Sequence, residues 1–495
     1  MTSAASSRTS RKTFLATVLF LTMLGLGLRF YRLSSQSLWT DEVSSIQIAR
    51  APLDEIYQRS LTESNSLPTY FLLLRAVLSD SKDQLEFRAR FLSAMAGALS
   101  IPVFIGVVCF WRRHRGAALL AGLLLAVNPL HIWYSQETRA YSPMLFFGLL
   151  TLLCFELARS SRRHSALLWG LYVVFGLAAI VLHKTGVIFP VACGCWHGLE
   201  LIRGRQRFNI LMVHAPIASA AAVVSLLKSY PPTGGYNRID SVLEIGYTFM
   251  TFAGGYSFGP SLTDIQSYGA QAAVSQHPIQ VAVLLAVLLL ATLTIGFNFR
   301  SLIVGRETSL LVLGIGTVVA YAIASGFPYN IRYALSALFA FLALVSAVLT
   351  TEVKPAWTRL SVASLVLVAL WADAQWFYSP AYRKGDSRAV AQWLVRNEGR
   401  VKSWTVLPSY LGESVEWYLK SYPDVLSSAL PPKGDRTTPF PPIPDVLILG
   451  RRHHLDQPDR LIANYQSAAR EVQANRSFTG FELYVRVPHP TSSKQ

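Results

Sequence analysis

The sequence predicts an α-helical polytopic membrane protein with a small α/β domain outside the bilayer. Three observations lead there. Of 495 residues, 52% are hydrophobic and only 15% charged, with a mean hydropathy of +0.35; a soluble core of this length needs less apolar sequence. Apolar runs of roughly 17–25 residues recur along the chain, the length that crosses a bilayer as a helix. Near residue 380 the composition shifts: charges return and prolines cluster.

The spans are read from hydrophobicity alone. Eleven are expected, at about Thr13–Phe30, Phe91–Trp111, Ala117–Trp133, Tyr141–Ala158, Ala166–Leu182, Gly186–Ile202, Phe208–Leu227, Ile279–Phe297, Ser309–Phe327, Tyr333–Leu349 and Leu360–Phe377. Residues 13–378 then form the transmembrane module, after a basic N-terminus of residues 1–12. The first run follows Arg8, Arg11 and Lys12 as a signal peptide would, but it is long and lacks a clear small-residue cleavage site, so it reads as a retained span.

Two polar segments interrupt the module, 32–90 and 228–278. In the first, Leu53, Ile56, Tyr57 and Leu61 recur at helical spacing, as on a helix lying on a membrane surface. Ser66–Leu78 is apolar but too short to span, and reads as an interfacial or re-entrant piece. With eleven spans, the tight Arg/Lys clusters fall on the side of the N-terminus, and the long loops and the tail fall on the other. The positive-inside rule then places the N-terminus in the cytoplasm and residues 379–495 outside, as in a bacterial inner (plasma) membrane protein.

In the tail, Trp404–Leu407, Val446–Leu449 and Phe481–Val485 read as strands, while Ser387–Asn397 and Glu413–Tyr422 read as helices. Pro431, Pro432, Pro439, Pro441, Pro442 and Pro444 mark a linker.

The net charge of +17 would point to nucleic acid on a soluble protein. Here the basic residues sit in short loops between spans, so no nucleic-acid partner is expected and the lipid bilayer is the partner. The four cysteines lie in apolar segments, and Cys193-Gly-Cys195 lacks metal-site spacing.

Ionisable residues gather at the expected outer ends of spans, whereas the inner face carries arginines and few acids. Carboxylates beside a span are costly unless something uses them. Asp41 and Glu42 follow the first span, with Trp39 before them as an interfacial anchor. The pair supplies a general base, a metal ligand or only an exposed loop. His131-Ile-Trp-Tyr-Ser-Gln-Glu-Thr-Arg-Ala-Tyr141 sets Gln136, Glu137, Arg139 and Tyr141 at one junction. A guanidinium there suits a phosphate; the plainer alternative is a tie between two helix ends. His183-Lys184 and Asn330-Ile-Arg332-Tyr333 put more cations at the same level, where snorkelling at a helix end is the plainer alternative.

Trp39-Thr-Asp41-Glu42 resembles the Asp-Glu motif of the membrane glycosyltransferases of the C-type fold (GT-C). These include the protein O-mannosyltransferases, the aminoarabinose transferase of lipid A and the glycosyltransferase family 39 group. Glu86-Phe-Arg-Ala-Arg90-Phe-Leu-Ser93 and Tyr134-Ser-Gln-Glu137-Thr-Arg139-Ala-Tyr141-Ser are similar to that group's next two motifs. Tyr382-Arg-Lys-Gly-Asp386-Ser-Arg388 resembles the segment that opens its outer domain. The likeness covers most of residues 10 to 400. One stretch departs from it: where the group often has His-Pro-Pro-Leu-Tyr, this chain reads Glu63-Ser-Asn-Ser-Leu-Pro68-Thr-Tyr70.

The resemblance implies a sugar donor on a polyprenyl phosphate and a hydroxyl acceptor on a glycan, a lipid or a protein. It implies transfer with inversion at the outer face. Asp41 would be the base and Glu42 its partner, with Arg139, Lys184 and Arg332 stabilising the departing phosphate; Glu137, Tyr141, His183 and Tyr333 complete the expected binding residues. No cofactor is certain. A divalent metal ion, held by Asp41 and Glu42, stays open, because the altered Glu63–Tyr70 stretch is one that helps hold metal in relatives that use it. Two other readings fit part of the pattern. A transporter or flippase of lipid-linked sugars tends to show inverted repeats and midplane sites, while a scaffold would need no base at Asp41.

Overall fold

The computed structural model describes residues 10–64, 66–78, 84–161, 164–204, 212–226, 242–268, 270–296, 306–325, 330–347, 356–430, 443–451, 455, 457–469 and 472–486. The expectations for Arg8, for Arg205 and Arg207, for residues 228–241 and for the prolines from Pro431 to Pro442 lie outside the described residues.

Two compact units make up the chain. The first comprises Met1–Leu33, Ser45–Gly255 and Ala282–Asp373, and the second Ser34–Ser44, Tyr256–Val281 and Ala374–Gln495. The second unit therefore gathers the Asp41–Glu42 stretch, part of the 228–278 segment and the tail, three pieces far apart in sequence.

The first unit is helical. Helix α1 (Arg11–Phe30) starts at Ser10, whose hydroxyl accepts from the Thr13 amide; such an N-cap satisfies one of the open donors of the first turn. Next come α2 (Thr40–Arg50), α3 (Leu53–Glu63), α4 (Thr69–Val77) and the long α5 (Leu85–Arg112). They are followed by α6 (Arg115–Ala126), α7 (Pro129–Ser135), α8 (Tyr141–Ser160), α9 (Ser165–Leu182) and α10 (Ile188–Ile202), the last preceded by a short 3-10 turn, Lys184–Val187.

Helix α3 appears where the periodicity placed it. Its buried positions are Ile56 and Ser60, while Leu53 and Tyr57 are exposed. The apolar stripe is thus divided between packing and surface. The short apolar run after it is α4, nine residues long.

Among the described residues, seven helices are long and apolar enough to cross a membrane, and a bent pair makes an eighth. The remaining three expected spans fall on helices Ala215–Leu226, Arg306–Ser325 and Leu335–Ser346, the first and last only 12 residues long. The expected span Ala117–Trp133 is not one helix. It is α6 and α7, bent by 58°. Asn128 accepts from the His131 amide at 2.9 Å as the N-cap of α7, and Pro129 fills its first turn. An Asn-Pro pair stops one helix and starts the next.

The break is packed. Gly97 of α5 lies against Ser135 of α7 so closely that a Cβ on Gly97 would come within 2.1 Å of the Ser135 Oγ. Phe104 and Phe339 meet at 5.3 Å in the core of the unit.

The tail of the second unit is an α/β sheet. Its strands are β1 (Trp404–Leu407), β2 (Val446–Leu449), β3 (Val472–Phe478) and β4 (Phe481–Arg486), in the order β1-β2-β4-β3. β1 pairs parallel to β2, β2 antiparallel to β4, and β3 and β4 form a hairpin. Gly480, at φ +76°, turns the hairpin, a conformation that costs glycine little. β1 and β2 are buried at every position, which explains their unbroken apolar reading. Val406, Ile448 and Leu483 on one face join Val390 and Leu394 of helix Ser387–Arg396; Leu447, Leu449 and Tyr484 on the other join Leu461 and Tyr465 of helix Pro458–Ala469. The last of these helices and β3 were not anticipated.

Candidate functional site

In the first unit a small pocket, with a cavity volume of about 10 Å³, is lined by Ser64, Ser66, Tyr70, Phe71, Arg139, Ala140, Tyr141 and His183. Three of the expected binding residues line it. The stretch that departs from the family pattern lines it too, through Ser64, Ser66 and Tyr70.

Arg139 enters the pocket from the α7–α8 junction. Its Nη1 donates to the Ser45 Oγ at 3.2 Å and to the Ser64 Oγ at 3.4 Å. The Ser93 hydroxyl donates to the Arg139 carbonyl at 3.0 Å. The Glu86–Ser93 motif and the Tyr134–Tyr141 motif are therefore joined by a hydrogen bond that fixes the backbone beneath the guanidinium. Side chains locked in this way are presented without a reorganisation cost.

His183 closes one wall. Its ring lies 5.0 Å from Tyr141 and stacks on Tyr333 at 5.9 Å, with an interplanar angle of 19°. Its Nδ1 is 2.8 Å from the Thr185 hydroxyl. The Arg332 guanidinium lies 5.3 Å from the Tyr333 ring centre. Burial, and then the positive charges of Arg139, Arg332 and Lys184, push the His183 pKa down to about 3. The imidazole is neutral at physiological pH chiefly because it is buried, and the three cations near it add to the effect. The structure thus brings together Arg139, Tyr141, His183, Lys184, Arg332 and Tyr333, all within the first unit.

Glu137 stands apart from this group. It is buried, and its Oε1 accepts from the Trp133 indole at 2.9 Å, one helical turn back. That contact ties its own helix end together, and Glu137 is not among the residues lining the pocket.

The α6–α7 break is held by reciprocal bonds. Arg29, fully buried, donates from Nη1 to the Ala126 carbonyl and from Nη2 to the Leu125 carbonyl, each at 3.0 Å; its Nη2 also lies 2.8 Å from the His131 Nδ1. In return, the Gln136 Nε2 donates to the Arg29 carbonyl at 3.0 Å and to the Tyr31 carbonyl at 2.9 Å. Each side chain satisfies backbone acceptors left open at the other helix's C-terminus. Arg90 adds a bond to the Leu33 carbonyl at 2.8 Å.

At the far end of the same helices the few acids meet arginines. Arg306 pairs with Glu156 at 2.9 Å, Arg112 with Glu307 at 2.9 Å, and Arg159 with both Glu200 and Glu156. These carboxylates are buried. Their sequence positions, Glu156 and Glu200 in two apolar runs and Glu307 just before a third, gave no sign that they would meet.

In the second unit, Asp41 and Glu42 occupy the first turn of α2, where the helix dipole favours negative charge. Glu42 is fully buried. The Trp39 amide donates to its Oε2 at 3.5 Å, and the Lys384 Nζ lies 3.5 Å from the same oxygen. Lys384 is itself buried. Lys384 and Arg451 stand over the Trp39 ring at 5.8 and 5.6 Å. Two further bonds lace this stretch to the tail. The Lys384 amide donates to the Gln36 Oε1 at 3.0 Å, and the Ser37 hydroxyl to the Gly385 carbonyl at 2.9 Å. Lys384 was quoted in the sequence only as part of a motif. Its role follows from contact with Glu42, which sequence distance conceals. Asp386 in the same motif is the N-cap of helix Ser387–Arg396, accepting from the Ala389 amide at 3.1 Å.

Comparison with known proteins agrees with this picture. Residues 77–214 match the dolichyl-phosphate-mannose-protein mannosyltransferase family. That stretch carries Arg90, Glu137, Arg139, Tyr141, His183 and Lys184, and stops short of Asp41, Glu42 and Arg332. The oligosaccharyltransferase of Archaeoglobus fulgidus, solved with zinc and sulfate, superposes with a TM-score of 0.52 at 13% identity, covering 96% of this chain and 74% of that one. The same archaeal enzyme, AglB, in complex with an inhibitory peptide and a dolichol-phosphate gives a TM-score of 0.50 at 12% identity, over 96% and 75% of the two chains. No protein of curated function matches the sequence. The resemblance to membrane glycosyltransferases of the C-type fold is borne out: the chain is a multi-span membrane protein with that fold, and residues 77–214 match a mannosyltransferase family model.

A relative solved with zinc raises the question of a metal here. Among the described residues, no three His, Cys, Asp or Glu side chains stand together as metal ligands. Glu42, half of the expected ligand pair, has an ammonium beside it. This donor set does not fit a divalent ion, and no step below runs through one.

Proposed function

We propose that this chain is an integral membrane glycosyltransferase that moves a sugar from a polyprenyl-phosphate donor to a hydroxyl acceptor on a glycan, a lipid or a protein. The observation that carries the reading is the convergence of Arg139, Lys184 and Arg332 on a neutral His183 beside an aromatic-walled pocket. Positive charge gathered near a pocket suits a phosphate, most of all one that gains charge as it leaves. The matched family and the archaeal enzyme solved with dolichol-phosphate support the donor class.

The acceptor oxygen attacks the anomeric carbon from the face opposite the phosphate. The new carbon–oxygen bond forms as the bond to the phosphate oxygen breaks, and the configuration inverts. The acceptor's proton passes to the Asp41 carboxylate, and the lipid phosphate departs with the bonding electron pair. A carboxylate base contributes about 10²–10⁴-fold to such a step. Glu42 holds the first turn of α2 in shape. Arg139, Lys184 and Arg332 take the charge that builds on the phosphate, and Tyr141 and Tyr333 wall the sugar or the headgroup. The positive-inside pattern supports a reaction on the face opposite the N-terminus, and the membrane this reading assigns is the bacterial inner membrane.

The test uses purified protein in native-like lipid with a panel of polyprenyl-phosphate sugars and acceptors, following release of lipid phosphate. Release with at least one donor is expected. Asp41→Asn should abolish transfer while donor binding persists; turnover retained in that variant would remove Asp41 as the base. Absence of release with every donor would overturn the reading.

A further inference from the structure

We propose that Lys384 is the resident cation of the Asp41–Glu42 pair, so that the site works with a tethered ammonium where other acidic sites use a divalent ion. The inference deepens the transferase reading and rests on it for its chemistry, though metal occupancy is measurable without it.

Two adjacent carboxylates at one helix start need positive charge near them. Three sources are available in principle: the helix dipole, a metal ion or a basic side chain. The dipole acts on both carboxylates but is only about half a charge. The second source requires several oxygen or nitrogen ligands at roughly 2.0–2.6 Å from one point. The Glu42 Oε2 already faces the Lys384 Nζ at 3.5 Å. An ion bound to that oxygen would stand within a few ångströms of a buried ammonium, and like charges in a buried setting repel strongly. The third source is the one present.

The ammonium is held, not loosely placed. Its own backbone amide donates to Gln36, the next residue's carbonyl accepts from Ser37, and its head lies over the Trp39 ring. Residues 36–42 and 382–386 therefore form one laced unit, built around a pair that is buried on both sides. A buried ion pair of this kind is poor evidence for stability, because desolvation offsets the attraction. It is well suited to fixing a geometry. Lys384 acts through Glu42 on the first turn of α2, which makes it a positioning residue for Asp41.

The experiment takes the full-length protein in lipid and reads two things. The first is bound metal, by elemental analysis after equilibration with magnesium, manganese or zinc and removal of excess. No stoichiometric ion is expected; about one equivalent that disappears in Glu42→Gln would overturn the proposal, whether or not any donor is turned over. The second is transfer with an active donor. A chelator should leave wild-type turnover within about two-fold, whereas loss on chelation that a divalent ion restores would overturn the proposal. Lys384→Ala should lose about 100-fold in kcat, the scale of one preorganised charge, with KM for the donor little changed. Methylammonium added to Lys384→Ala should restore part of the rate, and Lys384→Arg should retain more than Lys384→Met. A Lys384→Ala enzyme of wild-type rate would overturn it as well. Failure of every donor with no metal bound would remove the transferase reading and leave the cation assignment standing.

Discussion

The two ends of α8 carry opposite electrostatic designs. At its C-terminal end, Glu156 and Arg159 belong to a network with Glu200, Arg306 and the nearby Arg112–Glu307 pair. Three guanidinium groups meet three carboxylates, and the charges balance. At its N-terminal end, about 22 Å away by the helical rise between Tyr141 and Glu156, Tyr141 faces His183, on which Arg139, Arg332 and Lys184 converge. Both ends gather basic side chains beside the same helix. Charge balance inside a protein is the mark of a structural tie. Cations gathered beside a cavity and a neutral imidazole suit an anionic ligand.

That contrast can be broken by experiment, and the largest effect is expected at the balanced end. Glu156→Gln leaves Arg306 and Arg159 short of a buried counter-charge, and breaking a buried pair costs about 3–5 kcal/mol. Thermal unfolding in lipid should show the loss, while the folded fraction keeps its specific activity. A variant that is stable but inactive would place function at the wrong end.

The next effect is at the pocket. Arg139→Ala should cut turnover by about 10²–10³-fold, the scale for a lost oxyanion donor, with a melting temperature close to wild type. Arg139→Lys should recover only part, since an ammonium cannot reproduce the planar fork. Equal loss of stability and rate would reduce Arg139 to a helix tie.

The smallest effect concerns pH. The folded His183 holds a pKa of about 3, whereas an unfolded imidazole titrates near 6.5. Below about pH 6.5 the unfolded chain takes up a proton that the folded chain refuses, so stability falls as pH drops toward 3 and is unaffected above 7. Between pH 5 and 8 the rate profile should carry no inflection from His183. His183→Asn should leave its shape unchanged while flattening the acid limb of the stability curve.

Much of this was legible in the sequence, and what was not has identifiable causes. β1 and β2 are unbroken apolar runs because both faces are covered, and their bounds were read as the structure has them. β3, Val472–Phe478, was missed because Gln473, Asn475, Arg476 and Ser477 break any apolar alternation. The Asn128-Pro129 break was a readable turn signal hidden by the hydrophobicity on either side. In the site, Arg139, Tyr141, His183, Lys184, Arg332 and Tyr333 were named because they lie at span ends. Lys384 carried no such mark, since nothing in a linear reading joins it to Glu42.

The bonds between Arg29 and the α6 carbonyls have a consequence for how the protein is made. The guanidinium sits in the last turn of α1, yet its acceptors at Leu125 and Ala126 are synthesised long afterward. Until they arrive, the charge needs water, lipid phosphate or the insertion machinery. Helix α1 therefore settles to its final depth only when α6 is delivered. Nascent chains halted before Leu125 should leave α1 shallower, with Ser10 and Thr13 more open to a water-soluble probe than in chains halted after α7. Equal labelling of the two would mean that α1 reaches its depth alone.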